Sequence, residues 1–78
     1  MHFPSKEQIA TLQRQYPRGT RVELLGMDDP QAPPTGAMGE ILGVDDAGQL
    51  LVRWETGSSL SLISGIDSFR IVQKGSRS

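Results

Sequence analysis

Three consecutive stretches decide the fold: Ala37-Met38-Gly39-Glu40-Ile41-Leu42-Gly43-Val44, then Asp45-Asp46-Ala47-Gly48, then Gln49-Leu50-Leu51-Val52-Arg53-Trp54-Glu55. The two arms read with a period of two, the repeat of a strand whose alternate side chains are buried. Asp45–Gly48 between them reads as a hairpin turn, with Gly48 supplying positive φ. Gly39 and Gly43 inside the first arm fit a bulge or a close backbone approach where a small barrel bends.

The same period extends outward from this hairpin. Thr20–Leu25 sets Val22 and Leu24 on one side and Arg21, Glu23 and Leu25 on the other. Met27–Gly36 holds three prolines and two aspartates, which cannot keep a ladder, so it reads as a long loop. Beyond the hairpin, Thr56-Gly57 leads into a fourth strand, Ser58–Ile63. Ser64–Asp67 is a tight turn, and Ser68–Val72 is a fifth strand. Ahead of all of them, Ser5 and Gln8 form a capping-box pattern, Ile9, Leu12 and Tyr16 make one apolar stripe, and Pro17 stops the helix. The expected architecture is mainly β, a five-stranded SH3-like barrel with one N-terminal amphipathic helix. It forms a single domain over residues 1–78, with the helix at 5–16, the barrel at 19–72 and a flexible tail at 73–78.

Strand phase assigns the interior to Val22, Leu24, Ile41, Leu50, Val52, Trp54, Leu60, Leu62, Phe69 and Ile71. Leu25, Leu42, Leu51, Ile63 and Val72 fall on the outside. A short helix needs a dock and bare apolar residues need a cover, so the helix stripe is expected to lie over part of that outer set.

Composition narrows the function. With 78 residues and no cysteine, the chain has no disulfide and no thiolate metal site, which fits a reducing cytoplasm. It has no apolar run of membrane-spanning length, and Met1-His2-Phe3-Pro4 lacks a secretory leader's apolar core. Residues 1–21 set four cations against Glu7, residues 22–69 set eight carboxylates against Arg53, and residues 70–78 hold three cations. The strand-rich middle is therefore acidic and repels phosphate, while both ends are basic.

Several motifs taken together are distinctive: Pro4–Gln8, Tyr16–Leu24, Met27–Pro30, Ala32–Pro34, Gly43–Gly48 and Trp54–Leu60. Their order resembles a family of short bacterial and mobile-element domains known only as domain of unknown function 4314, across about residues 3–72. The resemblance carries no established activity over to this chain. In that family the second hairpin turn is associated with Asp-Asn-Gly or a similar triplet. Here it is Glu55-Thr56-Gly57, and threonine is a poor host for positive φ.

No catalytic constellation emerges. The one histidine is His2, at an unpositioned end. Ser58, Ser59, Ser61, Ser64 and Ser68 read as hydrogen-bonding residues of strands and turns. Asp28-Asp29 and Asp45-Asp46 read as turn formers, without the alternating oxygen ligands of a calcium loop, and the glycines form no phosphate-binding loop. The expectation is a non-catalytic binding module with no cofactor or metal, cytoplasmic, with no membrane partner. Its partner is another protein or peptide. The expected surface is the loop with Met27, Asp28, Asp29, Pro33, Pro34 and Met38, together with Leu25, Leu42 and Leu51. The alternative is nucleic acid, held by Arg14, Arg18, Arg21, Arg70 and Lys74 if the helix packs beside the last strand.

Overall fold

The computed structural model describes residues 4–75. The expectations placed on His2 and on residues 76–78 of the tail lie outside the described residues. The elements are α1 (Lys6–Gln15), β1 (Arg21–Gly26), β2 (Met38–Val44), β3 (Gln49–Trp54), β4 (Leu62–Ile63) and β5 (Ser68–Gln73). The chain is mainly β: one antiparallel five-stranded sheet in the order β4-β3-β2-β1-β5, plus one short helix. The sheet is not closed. Its edges are β4 and β5, so the closed barrel expected from the sequence is not what the ladders form. Among the described residues no helix is long and apolar enough to cross a membrane.

The core follows the strand phase. Val22, Leu24, Ile41, Leu50, Val52, Trp54 and Leu62 are buried on one face of the sheet. Burying each of the aliphatic side chains is worth about 1.5–3 kcal/mol. Gly39 makes room for the largest of the set. A Cβ there would stand 2.5 Å from Val52 Cγ1 and 2.8 Å from Trp54 Cε3. The expected bulge also forms: Ile41 pairs with Val52 and Gly43 with Leu51, so Leu42 and Gly43 together take one step of β3.

The fourth strand is shorter than the sequence predicts, two residues in place of Ser58–Ile63. Local hydrogen bonds hold the missing part in another shape. Trp54 Nε1 donates to the Leu60 carbonyl at 2.8 Å, and the Leu60 N–H donates to Ser58 Oγ at 3.3 Å. Leu60 is accordingly half-buried and not an interior residue. Ile71 is a second departure, 38 % exposed although it has interior phase. It stands opposite buried Val22, but β5 is an edge with nothing beyond it to cover the side chain.

Both hairpin turns use a glycine in the left-handed region. Asp45–Gln49 places Gly48 at φ 80°, with Asp45 Oδ1 accepting from the Ala47 and Gln49 N–H groups. In the second turn Gly57 takes φ 92° and, among the described residues, none other than glycine has positive φ, so Thr56 escapes the strain expected of it. Asp45 thus acts as the turn former the sequence implies, and Asp29 does the same by accepting from the Gln31 N–H at 2.8 Å.

The capping box of α1 forms as read: Gln8 N–H donates to Ser5 Oγ and Ser5 N–H to Gln8 Oε1. The helix docks near both of its ends. Its Tyr16 packs against the buried cluster, with its ring centroid 5.6 Å from that of Phe69. Its other end rests on the first hairpin, where Pro4 and Leu12 lie against Gly48. The helix lies against β2 and the β2–β3 turn, Tyr16 at its exit reaches Phe69, and Ile63 of the outer set shares a groove with Pro4, Gln8 and Leu12. Thr20, fully buried, ties the helix exit to the chain end: its Oγ1 donates to the Pro17 carbonyl at 2.6 Å and accepts from Gly75 N–H at 2.9 Å. So Gln73 belongs to β5 and Gly75 is held, where a frayed tail was expected from residue 73 onward.

Candidate functional site

The outward face of the sheet is built by alternation. It carries Arg21, Glu23 and Leu25 on β1, Glu40 and Leu42 on β2, Leu51 and Arg53 on β3, Ile63 on β4 and Arg70 on β5. The register lines up Arg53, Glu40 and Arg21 across three strands, and sets Arg70 beside Glu23. Ion pairs follow: Arg53 with Glu40 at 2.8 Å, Arg21 with Glu55 at 3.1 Å and Arg70 with Glu23 at 2.6 Å. A belt of alternating charge thus crosses the middle of the face.

That belt divides the apolar residues that the sequence grouped together. Leu42 and Leu51 adjoin at the bulge, 40 % and 38 % exposed. Ile63 stands opposite Gln49, the diagonal neighbour of Leu51, and completes an apolar corner at 40 % exposure. Leu25 is elsewhere. It lies four residues beyond Arg21 on β1, while Leu42 lies two beyond Arg21's partner Glu40 in the opposite direction. At strand rise that separation is about 20 Å, so Leu25 and the Leu42–Leu51 pair do not share one patch.

The long loop spends most of its apolar side on packing. Pro33 is buried, and Met27 is half-buried against the core. Main-chain bonds hold the loop's end to β1: Leu24 N–H donates to the Ala37 carbonyl and Gly36 N–H to the Leu24 carbonyl. Of the expected surface residues, Asp28, Asp29 and Pro34 are exposed, and Met38 is half-buried. Burial thus removes Pro33 from the expected partner surface.

The basic residues converge in part. Gly75 lies against the backbone of Arg18 and Thr20, which brings Lys74 to the same end as Arg18. Arg21 and Arg70 are tied to carboxylates, and Arg14 Nη2 donates to Thr11 Oγ1 on its own helix. The sequence shows the cations but not these partners, because Arg21–Glu55 and Arg70–Glu23 are 34 and 47 residues apart.

One feature escapes sequence reasoning. An open groove of about 860 Å³ runs between the first half of α1 and the β2–β3 turn, lined by Pro4, Gln8, Leu12, Gly48, Ile63 and Ser64 among others. The Ser5 and Gln8 side chains there are engaged in the capping box. No three His, Cys, Asp or Glu residues gather to hold a metal among the described residues.

A model of the family described as domain of unknown function (DUF4314) matches residues 5–72. The chain belongs to the DUF4314 family. The match runs from the Ser5 cap of α1 to Val72 in β5, so this DUF4314 domain includes the helix, the long loop and the five strands. No curated protein and no solved structure matches the chain.

Proposed function

We propose that this domain is a non-catalytic module that binds another protein, through the apolar corner formed by Leu42, Leu51 and Ile63. One observation carries the reading. Leu42, Leu51 and Ile63, three large apolar side chains on adjacent strands of the outer face, are 38–40 % exposed. The exposed loop residues Asp28, Asp29 and Pro34 belong to a separate region of the same module. We read the architecture as SH3-like, on the strand order β4-β3-β2-β1-β5 and the long loop between β1 and β2. The lack of cysteine favours a reducing, cytoplasmic setting.

The test is capture of a partner from the native host with the wild-type domain and with a Leu42→Asp/Leu51→Asp variant. The variant should lose the partner while keeping its circular dichroism spectrum. A partner held equally by both proteins rules this surface out. A second reading, nucleic acid, rests on the proximity of Arg18 and Lys74 at one end. It requires binding to a random duplex that weakens steeply with salt. No binding at low salt removes it.

A further inference from the structure

The groove beside α1 runs into the apolar corner, because Ile63 belongs to both. Pro4, Leu12, Ala47 and Ile63 give it an apolar lining, with Pro4 and Leu12 seated against Gly48. A free small molecule needs most of its surface enclosed, which an open trough of about 860 Å³ does not provide. A segment that stays attached to its own protein has no such need.

The main chain around the trough is largely spent. The Ser5 and Gln8 N–H groups are bonded within the capping box. In the β2–β3 turn, Ala47 and Gln49 donate to Asp45 Oδ1 and Gly48 donates to the Asp45 carbonyl. On β4 the Ile63 N–H donates to Asp67 Oδ2 at 2.8 Å, and its carbonyl accepts from the Ile66 and Asp67 N–H groups. An extended segment joins a sheet through free main-chain groups at the edge, and this edge is closed by its own turn. A helix satisfies its main chain internally and so can enter without leaving polar groups unpaired.

Charge selects among helices. Glu7 lines the groove from α1, and Asp45 and Asp46 lead into Ala47 and Gly48 on the opposite wall. None of these carboxylates joins an ion pair among the described residues, where the three pairs that form all lie in the belt. Two cations stand on the same helix. Lys6 is about 100° round the axis from Glu7, in the direction opposite to Gln8, and so faces away from the groove. Arg14 lies about two turns beyond Glu7, where it donates to Thr11 Oγ1. The end of the groove between Glu7 and the turn therefore carries negative charge that no neighbouring cation offsets.

We propose that this groove takes a basic amphipathic helix of the protein partner, a proposal that rests on the reading of the apolar corner as a protein interface. The apolar stripe of that helix lies on Leu12, Ala47 and Ile63, and its Lys or Arg residues come beside Glu7 and Asp46.

Fluorescence anisotropy of labelled amphipathic peptides, titrated with the full chain, tests it. One probe is a helix of leucine and lysine, and the other has the same pattern with glutamate in place of lysine. The lysine peptide should bind, more weakly as salt rises, and the glutamate peptide should not. Glu7→Gln/Asp46→Asn should raise the dissociation constant of the lysine peptide at least about tenfold. Ala47→Lys, which sets a cation on an exposed turn residue of the groove, should do the same. Asp28→Asn/Asp29→Asn removes as much charge from the loop at the other end of β2 and should leave binding within about twofold. Each variant should keep the wild-type circular dichroism spectrum. Failure of both peptides to bind, equal binding of the two, or a loop variant weakened as much as the groove variant overturns the proposal. A partner lost on Leu42→Asp/Leu51→Asp beside peptides that fail keeps the corner as an interface and overturns only the basic helix.

Discussion

At the scale of single residues, Gly39 sets how tightly the core closes. It sits between β1 and β3, opposite both Val22 and Trp54, where a methyl group would overlap Val52 and the indole. Gly39→Ala should therefore lower the unfolding free energy by about 1–3 kcal/mol, the usual cost of overpacking. Urea denaturation followed by Trp54 fluorescence measures it, and an unchanged midpoint would mean the strands can part without penalty. Trp54 itself was legible as an interior residue, because it shares the phase of Leu50 and Val52. Its hydrogen bond to the Leu60 carbonyl was not legible, since no pattern in the sequence marks a backbone acceptor six residues away.

At the scale of elements, that bond has a consequence for the segment before β4. The backbone of Ser58–Ser61 is held by a side chain and a hydroxyl in place of a ladder. Trp54→Phe keeps an aromatic ring in the core and removes the indole donor. Amide hydrogens of residues 59–61 should then exchange about fivefold faster, as expected for one lost bond worth about 1 kcal/mol. Amides of β2 and β3 should slow or quicken only with global stability. Equal acceleration everywhere would show that the bond serves the whole core. All five residues that alternation set outside, Leu25, Leu42, Leu51, Ile63 and Val72, are exposed, although Leu25, Leu42 and Val72 fall where the strand register shifts. Alternation failed at Ile71, where the face was right but the neighbouring strand was missing. It also could not say where α1 would rest. An apolar stripe specifies that a helix docks, and the choice between the outer leucines and the Gly48–Phe69 span depends on three-dimensional fit.

At the scale of the molecule, the basic ends and acidic middle meet as separate surface pairs and not as opposed fields. Arg21 and Arg70 each find a carboxylate from the middle segment, and Arg53 finds Glu40 within it. All three pairs are substantially exposed, so each contributes about 0–1 kcal/mol. Screening them with about 1 M sodium chloride should lower the unfolding free energy by only about 1 kcal/mol. Urea melts at low and high salt check this, and a drop above about 3 kcal/mol would mean the belt holds the sheet together. The overall charge distribution was plain in the sequence, but the pairings depended on strand register, and with them the division of the apolar outer face.

The bond between Thr20 and Gly75 works as a latch on a zipper. A border strand detaches one rung at a time, starting from whichever end is loose. Here the trailing end of β5 is pinned by a hydroxyl that is itself anchored to Pro17. Under a pull on the trailing end, the hydroxyl tie must release before the first rung between β5 and β1 can part, so one small side chain sets the force at which peeling begins.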